Sequence, residues 1–438
     1  MAQSQQTDIL IVGAGIFGAS TAYHLSQTVT NPSSITVIDR TPPPPSLAAS
    51  NDINKIIRAD YSDSFYCDLA YEAMEAWSSW PELIPYYHRS GWVMLDEQDS
   101  DLAERIRKVF RDRGHDPTSD VPLEEIGNKD RWGGTLKGTK TDGFRDGYWN
   151  PEAGWCEAGH ATAKMMEVAM SRGVRYMRGH VKEMIMGDNG IKGVRTNDGK
   201  SITASQVLLA TGAWTSSLLS PLEDDLEIAR ADRVEAQASA AGVAVAHYKL
   251  SATEMATLAP MPVVVYGSNG EAIPPPPENN LLKFTNANTF SNTITTPSGH
   301  RISVPPDRDQ RIVSSKLKRE TNDIMMSRVM PSYTENKEAE YWRLCWDART
   351  PSQDWLVSRH PDGRLSNLYL AVGGSFHSYK FLPTAGKYVA NVLRGKGNGE
   401  EMDRRWQWKT AEYSGRGAHE KTAPKRELRD VDDDLAKM

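Results

Sequence analysis

The chain has 438 residues and a formal net charge of −6, with both signs mixed throughout and no basic face, which argues against nucleic acid as a partner and leaves room for two domains. Its three cysteines, Cys67, Cys156 and Cys345, form no CxxC or Cys/His pattern, so neither a disulfide framework nor a metal site is expected, and a reducing intracellular compartment fits. No run approaches the ~18 apolar residues of a membrane span, and an apolar strand begins almost at once, so neither a membrane nor a cleaved targeting peptide is expected.

Residues 8–40 organise the rest. Ile9, Leu10, Ile11 and Val12 form a short apolar run suited to a buried parallel strand. Gly13, Gly15 and Gly18 follow as G-x-G-x-x-G. The first glycine permits a tight turn, the second a close approach of pyrophosphate to backbone, and the third close packing of helix on strand. A helix opening at Ile16 and Phe17 turns its N-terminal amides towards the phosphates. A second strand, residues 35–38, leads to Asp39 and Arg40. Asp39 lies about 20 residues beyond the last glycine, where an acid holds a ribose 2′-OH and repels the 2′-phosphate of NADP.

A proline run follows, then residues 46–60, SLAASNDINKIIRAD. Here Lys55 and Arg58 flank two isoleucines. They either receive an anionic ligand or mark a solvated end of a helix or strand. Residues 66–80 carry Leu69, Ala73 and Trp77 at helical spacing. Residues 86–95 read as a strand that opens a second, antiparallel domain. A charged helix at 99–112, a surface loop entering a strand at 135–149 and a helix at 160–172 follow. Strands are expected at 173–178, at 180–186 around Val181, and at 190–196, with a hairpin turn at Asn197-Asp198-Gly199. Residues 205–214, SQVLLATGAW, take a strand into a small-residue turn at Thr211 and Gly212, then Trp214. Downstream of the first motif, such a turn closes over a dinucleotide.

Residues 220–340 carry weaker signals: a helix at 248–259, a strand at 261–266, a short strand at 281–284, a loop at 286–298 and a helix within 309–330. Lys283 stands among apolar neighbours, which is costly unless it is used or paired. The alternative is a lysine that guards a sheet edge. A strand at 368–372 then runs into GGSFHSYKFLP, with a helix to about Leu393 capped by Thr384. This third strand, turn and helix returns the chain to the cofactor domain. Residues 395–438 read as a polar surface arm, and its last three, Ala436, Lys437 and Met438, resemble a degenerate peroxisomal address.

Taken together, VGAGIFGASTAYHL, ASNDINKIIR, AGW at 153–155, LLATGAW, LLKF, RLCWD and GGSFHSYKFLP resemble the flavoprotein amine oxidases. That family includes monomeric sarcosine oxidase, saccharopine and pipecolate oxidases, and fructosyl amino acid oxidases. The resemblance covers most of the chain and implies FAD bonded through Cys345, whose thiolate Arg343 would favour. It implies that Lys283 sits near the flavin N5 and helps oxygen accept electrons, with Lys55 also close to the flavin. Arg58 and Lys380 would hold a substrate carboxylate, with polar contacts from His377, Ser378 and Tyr379. Ser50, Asn51, Val181, Gly374, His377, Ser378, Tyr379 and Lys380 fall in the stretches that would bind the cofactor. Two departures matter. The positions after Lys283 read Phe284, Thr285, Asn286 and Ala287, without the acid by which fructosyl amino acid oxidases hold a sugar amine. Arg58 stands where those enzymes usually lack an arginine. Both move the expected substrate towards simpler N-alkyl or cyclic amino acids.

The expected fold is α/β (α+β overall), D-amino acid oxidase-like. Its Rossmann-type FAD domain would come from residues 1–85, 150–220 and 340–400, an antiparallel substrate domain from 86–149 and 221–339, and an arm from 401–438. The expected activity is oxidation of the C–N bond of a secondary amino acid by oxygen, giving an imine and hydrogen peroxide. A deglycating oxidase and a biosynthetic oxidase that makes an imine for ring closure are the alternatives; a flavin hydroxylase would need a second nucleotide fingerprint. A monomer is expected, peroxisomal or cytoplasmic.

Overall fold

The computed structural model describes residues 5–410, 415, 417 and 423–433; the tripeptide Ala436-Lys437-Met438 lies outside them. Strand β1 (Gln5–Val12) is buried from Leu10 to Val12, as a central strand covered on both faces must be. It pairs in parallel with β2 (Ile35–Asp39) on one side and with the strand Ser201–Leu209 on the other. Arg175–Arg178 extends the sheet beyond β2, and Leu368–Val372 extends it beyond Ser201–Leu209, both in parallel. Val12 stands beside Ile38 and Leu209, and Leu209 beside Leu370. The strands therefore end at one level, and Gly13, Asp39, Ala210 and Gly373 emerge along a single edge. Ligands of open parallel sheets bind in the crevice there. Helix α1 (Ile16–Thr28) leaves from this edge.

Two glycines of the motif are sterically required. Gly13 has φ +103°, and a Cβ there would lie 2.4 Å from the Ala210 carbonyl oxygen; a Cβ on Gly18 would lie 1.8 Å from the Gly13 oxygen. The helix beginning at Ala385 is not capped by Thr384 as expected. Thr384 makes no side-chain cap bond, and Gly386 N instead donates to Ser20 Oγ of α1 at 2.7 Å. The neighbouring helix supplies the oxygen that sequence reasoning sought locally.

The second sheet runs Tyr341–Arg349, Ser239–Lys249, Leu281–Phe290, Gly270–Ile273, Val263–Tyr266, Trp92–Glu97, Phe144–Asn150 and Ser119–Asp120. It is antiparallel except where Val263–Tyr266 meets Trp92–Glu97 in parallel. Between those two strands the chain visits the first sheet, so no hairpin constrains their direction. A small sheet of Lys55–Ile57, Gly154–Cys156 and Tyr87–His88 lies apart from both.

Several expectations change. Tyr341–Arg349, expected within the cofactor domain, belongs to the second sheet. The helix expected at 248–259 spans Ala252–Leu258, and Tyr248 belongs instead to the long strand Ser239–Lys249. The strand through Lys283 runs on to Phe290 and takes in the first five residues of the expected 286–298 loop. Asn286 is buried there because its amide donates to Glu320 Oε1 and Thr321 Oγ1. The C-terminal arm is partly core: Trp406 is 1% exposed and stacks on Trp355 at 4.7 Å, while Leu428 and Val431 are buried near Trp346.

Candidate active site

Two adjoining cavities open where the first sheet's carboxyl edge meets the second sheet. The first has about 1270 Å³ of empty space including its mouth. It is lined by Gly13, Gly15, Ile16, Phe17, Asp39, Arg40, Ser50, Val181, Thr211, Gly212, Trp214 and Gly374, all expected at the cofactor. Asp39 Oδ2 accepts from Ala14 N at 2.8 Å, and Oδ1 from Arg40 N at 2.7 Å. The carboxylate is thereby fixed at the strand end. The Arg40 guanidinium lies 4.9 Å from the Trp214 ring centroid. Ser50 Oγ is buried without a partner among the described residues, and it lines both cavities. An orphaned hydroxyl beside a glycine cradle and a strand-end acid fits a dinucleotide. Gly18 packs behind the cradle. Asn51, also expected at the cofactor, lines neither cavity; its carbonyl accepts from Arg343 and its side chain lies against Gly159.

The second cavity shares Ile16, Ala49, Ser50, Asp347 and Gly374 with the first. Its floor is one face of the second sheet. In register across four strands lie Arg343, Val245, Thr285 and Glu271, and beside them Tyr341, His247, Lys283 and Ile273. Cys345 pairs with Val243 one step further on. Alternation along each strand gives Val243, Val245, Glu271, Ile273, Lys283, Thr285 and Cys345 to the cavity. It sends Leu282, Phe284 and Ala272 to the apolar core on the other face.

Lys283 is 1% exposed. Its Nζ donates to Asp52 Oδ2 at 2.6 Å and to the Asn54 carbonyl at 2.8 Å. Asp52 also binds Lys55 Nζ at 2.8 Å. Burial would push the Asp52 carboxyl up, but Lys283 and Lys55 outweigh it and hold it well below the usual carboxylate range. Burial lowers Lys283 to about 8 despite Asp52, whereas in Lys55 Asp52 outweighs burial and the shift is upward.

The other wall carries the remaining cations. Arg58 lies between two rings, 4.7 Å from the Tyr61 centroid and 4.9 Å from that of Trp92, and donates to the Asp60 carbonyl. Lys380 Nζ is 5.0 Å from the same Tyr61 centroid and donates to Tyr61 Oη at 2.9 Å. Tyr61 Oη in turn meets His377 Nδ1 at 2.8 Å, and His377 Nε2 meets the Gln353 carbonyl at 2.9 Å. A carbonyl needs a donor, so Nε2 carries the proton and Nδ1 accepts from Tyr61. The hydroxyls of the next two residues are spent on the fold: Ser378 Oγ donates to the Gly374 carbonyl at 2.7 Å, and Tyr379 Oη to the Ala158 carbonyl at 2.6 Å.

The turn joining the cavities is strained. Gly373, Ser375 and Phe376 have φ of +89°, +48° and +63°, and such non-glycine residues cost ~1–3 kcal/mol each. Asp347 holds the turn, with Oδ2 accepting from Phe376 N at 2.8 Å and Oδ1 from Ala348 N at 2.8 Å. Arg343 spends its donors on the backbone of residues 47–51. It donates to the carbonyls of Leu47, Ala48 and Asn51, and Cys345 lies close enough to Lys55 and Lys283 to act on both. Sequence reasoning missed Asp52, Tyr61, Glu271 and Asp347. Asp52 and Tyr61 stand close beside named cations; Glu271 carries no local signal.

Residues 8–392 match the family described as FAD dependent oxidoreductase, DAO. The chain is 28% identical to L-saccharopine oxidase of Schizosaccharomyces pombe over 431 residues, covering 92% of this chain and 93% of that protein. It is 22% identical to peroxisomal sarcosine oxidase of Mus musculus, covering 89% and 92%. The fold superposes on a modified fructosyl peptide oxidase from Aspergillus nidulans, solved in complex with FSA, with a TM-score of 0.82 and 26% identity over 97% of this chain and 98% of that one. With the family matched over most of the chain, and with a glycine cradle, strand-end acid and orphaned hydroxyl that suit its cofactor, the chain belongs to the FAD dependent oxidoreductase family.

Proposed function

We propose that this protein oxidises the C–N bond of a secondary amino acid, N-alkyl or cyclic, and that oxygen takes the electrons to give an imine and hydrogen peroxide. The observation that carries this is the polarity of the second cavity: Arg58 and Lys380 converge on Tyr61 at one wall, with Lys283 and Glu271 on the floor. A zwitterion suits that arrangement, its carboxylate towards the paired cations and its nitrogen towards the floor. The substrate gives up two electrons and two protons, and oxygen takes up both as peroxide. FAD, held by Gly13, Gly15, Asp39, Ser50, Thr211 and Gly374, would supply the hydride acceptor. Arg58 offers a fork to the carboxylate and Lys380 a point charge fixed by Tyr61. Lys283 holds a cation where oxygen acquires negative charge. On this reading the first sheet with its helices is the cofactor domain and the second sheet the substrate domain, in a monomer. Saccharopine is itself a secondary amino acid, which supports the substrate class. A glycated amino acid is the second reading, because Glu271 supplies the carboxylate that the residues after Lys283 lack. Peroxisomal residence, through Ala436-Lys437-Met438, would suit a peroxide-producing enzyme.

Purified protein should release peroxide with some member of a panel of N-alkyl, cyclic and fructosyl amino acids, and should consume no NADPH. Preference for decarboxylated or esterified analogues, or silence across the panel, would defeat the proposal.

The cofactor is proposed to be covalent through Cys345. Acid-precipitated wild-type protein should stay yellow, and Cys345→Ala should release its FAD into the supernatant. Free release from the wild type would disprove the linkage while leaving FAD binding intact.

A further inference from the structure

We propose that Asp52 is the positioning residue of Lys283: from outside both cavities, its carboxylate keeps the ammonium charged and fixes it on the cavity floor. The proposal rests on the reading of Lys283 as the oxygen site. Asp52 lines neither cavity and is 8% exposed. Its oxygens are fully engaged. Oδ1 accepts from Ile53 N at 2.8 Å, and Oδ2 from Lys55 Nζ at 2.8 Å and Lys283 Nζ at 2.6 Å. The Asp52 backbone is anchored in turn, its carbonyl accepting from Gly159 N at 2.9 Å.

Lysine has three N–H donors. Asp52 and the Asn54 carbonyl take two of those on Lys283, which leaves one for the cavity that the side chain lines. The geometry thus aims the cation as well as neutralising its burial. Beneath it, His247 is the in-register neighbour of Lys283 and stacks on Tyr341 at 4.0 Å and 15°. Its Nε2 is 3.9 Å from Asp52 Oδ1, too far for a hydrogen bond. Burial lowers its pKa, so it covers the carboxylate as a neutral ring.

One carboxylate therefore faces two ammonium groups. Other charged or titratable groups facing Asp52 and Lys283 include Arg343, His247, Tyr341, Tyr379, Cys156, Cys345 and, diagonally across the sheet, Glu271. Burial lowers Lys283 most, Asp52 is the main opposing influence, and Lys55 adds to the lowering. Removing Asp52 leaves a buried lysine beside a second cation, and such a group sheds its proton.

The test uses the full-length holoenzyme and two readouts. Lysine ε-¹³C NMR, with the Lys283 resonance assigned through Lys283→Arg, follows the titration of that residue. Stopped-flow mixing of reduced enzyme with oxygen follows reoxidation against pH. In Asp52→Asn the Lys283 midpoint should fall by about one unit or more. Reoxidation at pH 8 should slow roughly 5-fold or more and recover as pH is lowered, while reduction by substrate changes little. In Lys55→Met, which removes the competing cation, the midpoint should rise; this variant decides the matter if Asp52→Asn fails to fold. An unmoved midpoint in either variant, or equal losses in both half-reactions at every pH, overturns the proposal. If Lys283→Met leaves reoxidation intact, the oxygen role is wrong, and the midpoints still decide whether Asp52 holds the ammonium.

Discussion

Lys283→Met slows reoxidation of the reduced enzyme by oxygen about 10²-fold or more, the range for losing one preorganised electrostatic stabiliser. Methionine keeps the length of the side chain and removes its charge. Lys283 is held by two oxygens outside the cavity, so its contribution to substrate binding is small and reduction by substrate should change far less. Anaerobic reduction and aerobic reoxidation, measured separately by stopped flow, check this. Equal loss in both would make Lys283 a packing residue. The pH dependence has a defined sign. With its midpoint lowered to about 8, Lys283 is charged below that pH, so wild-type reoxidation should fall as pH rises through 8. Lys283→Met should lose that limb.

Arg58→Ala raises the substrate's apparent dissociation constant roughly 10- to 150-fold, the equivalent of ~1.5–3 kcal/mol for one charge-assisted contact. It should also narrow the preference for the free acid over its ester or decarboxylated analogue, because Lys380 remains as a single point charge. Arg58 is held between the Tyr61 and Trp92 rings, so the guanidinium is ordered before a ligand arrives and little entropy is lost on binding. Affinities from spectral titration of the anaerobic enzyme check both effects. A variant that keeps the full preference for the acid would place Arg58 outside the carboxylate site.

The cofactor cradle was legible because its signals are local. A four-residue apolar run, three glycines at fixed spacing and an acid at the next strand end can be read within 35 residues, and each has one steric or electrostatic reason. The cavity's cations were legible only in part: a lysine in LLKF is costly among apolar neighbours unless it is used or paired, whereas an arginine in KIIR suits a solvated strand end equally well. The strand Ser239–Lys249 was not legible. Its SAAGVAVAHYK carries four alanines, which have little strand preference, and nearly every residue is buried, so no alternation marks a face. Yet it is the strand that sets Cys345 against Val243 and Lys283 against His247. Asp52 and Glu271 were missed for the same physical reason. Asp52 contacts Lys283 across 231 positions, and Glu271 reaches the cavity only because its strand pairs beside Thr285. Spacing along the chain reports neither contact, although Asp52 stands three positions before Lys55.

The cavity floor makes the chemistry a matter of parity. Side chains at residues 282–285 of the strand Leu281–Phe290 alternate between the cavity and a sealed apolar core, so even and odd positions there have opposite fates. Were that strand to pair one residue out of step, Leu282 or Phe284 would face the cavity and Lys283 would be driven into hydrocarbon with no partner. The connection from Gly270–Ile273 guards the count. It holds four consecutive prolines, Pro274 to Pro277, and ends at Asn280 with φ +54°. Its first carbonyl, that of Pro274, accepts from Asn54 Nδ2 at 2.8 Å. One short segment, residues 52–54, thus both binds the lysine and pins the loop that decides which way the lysine points.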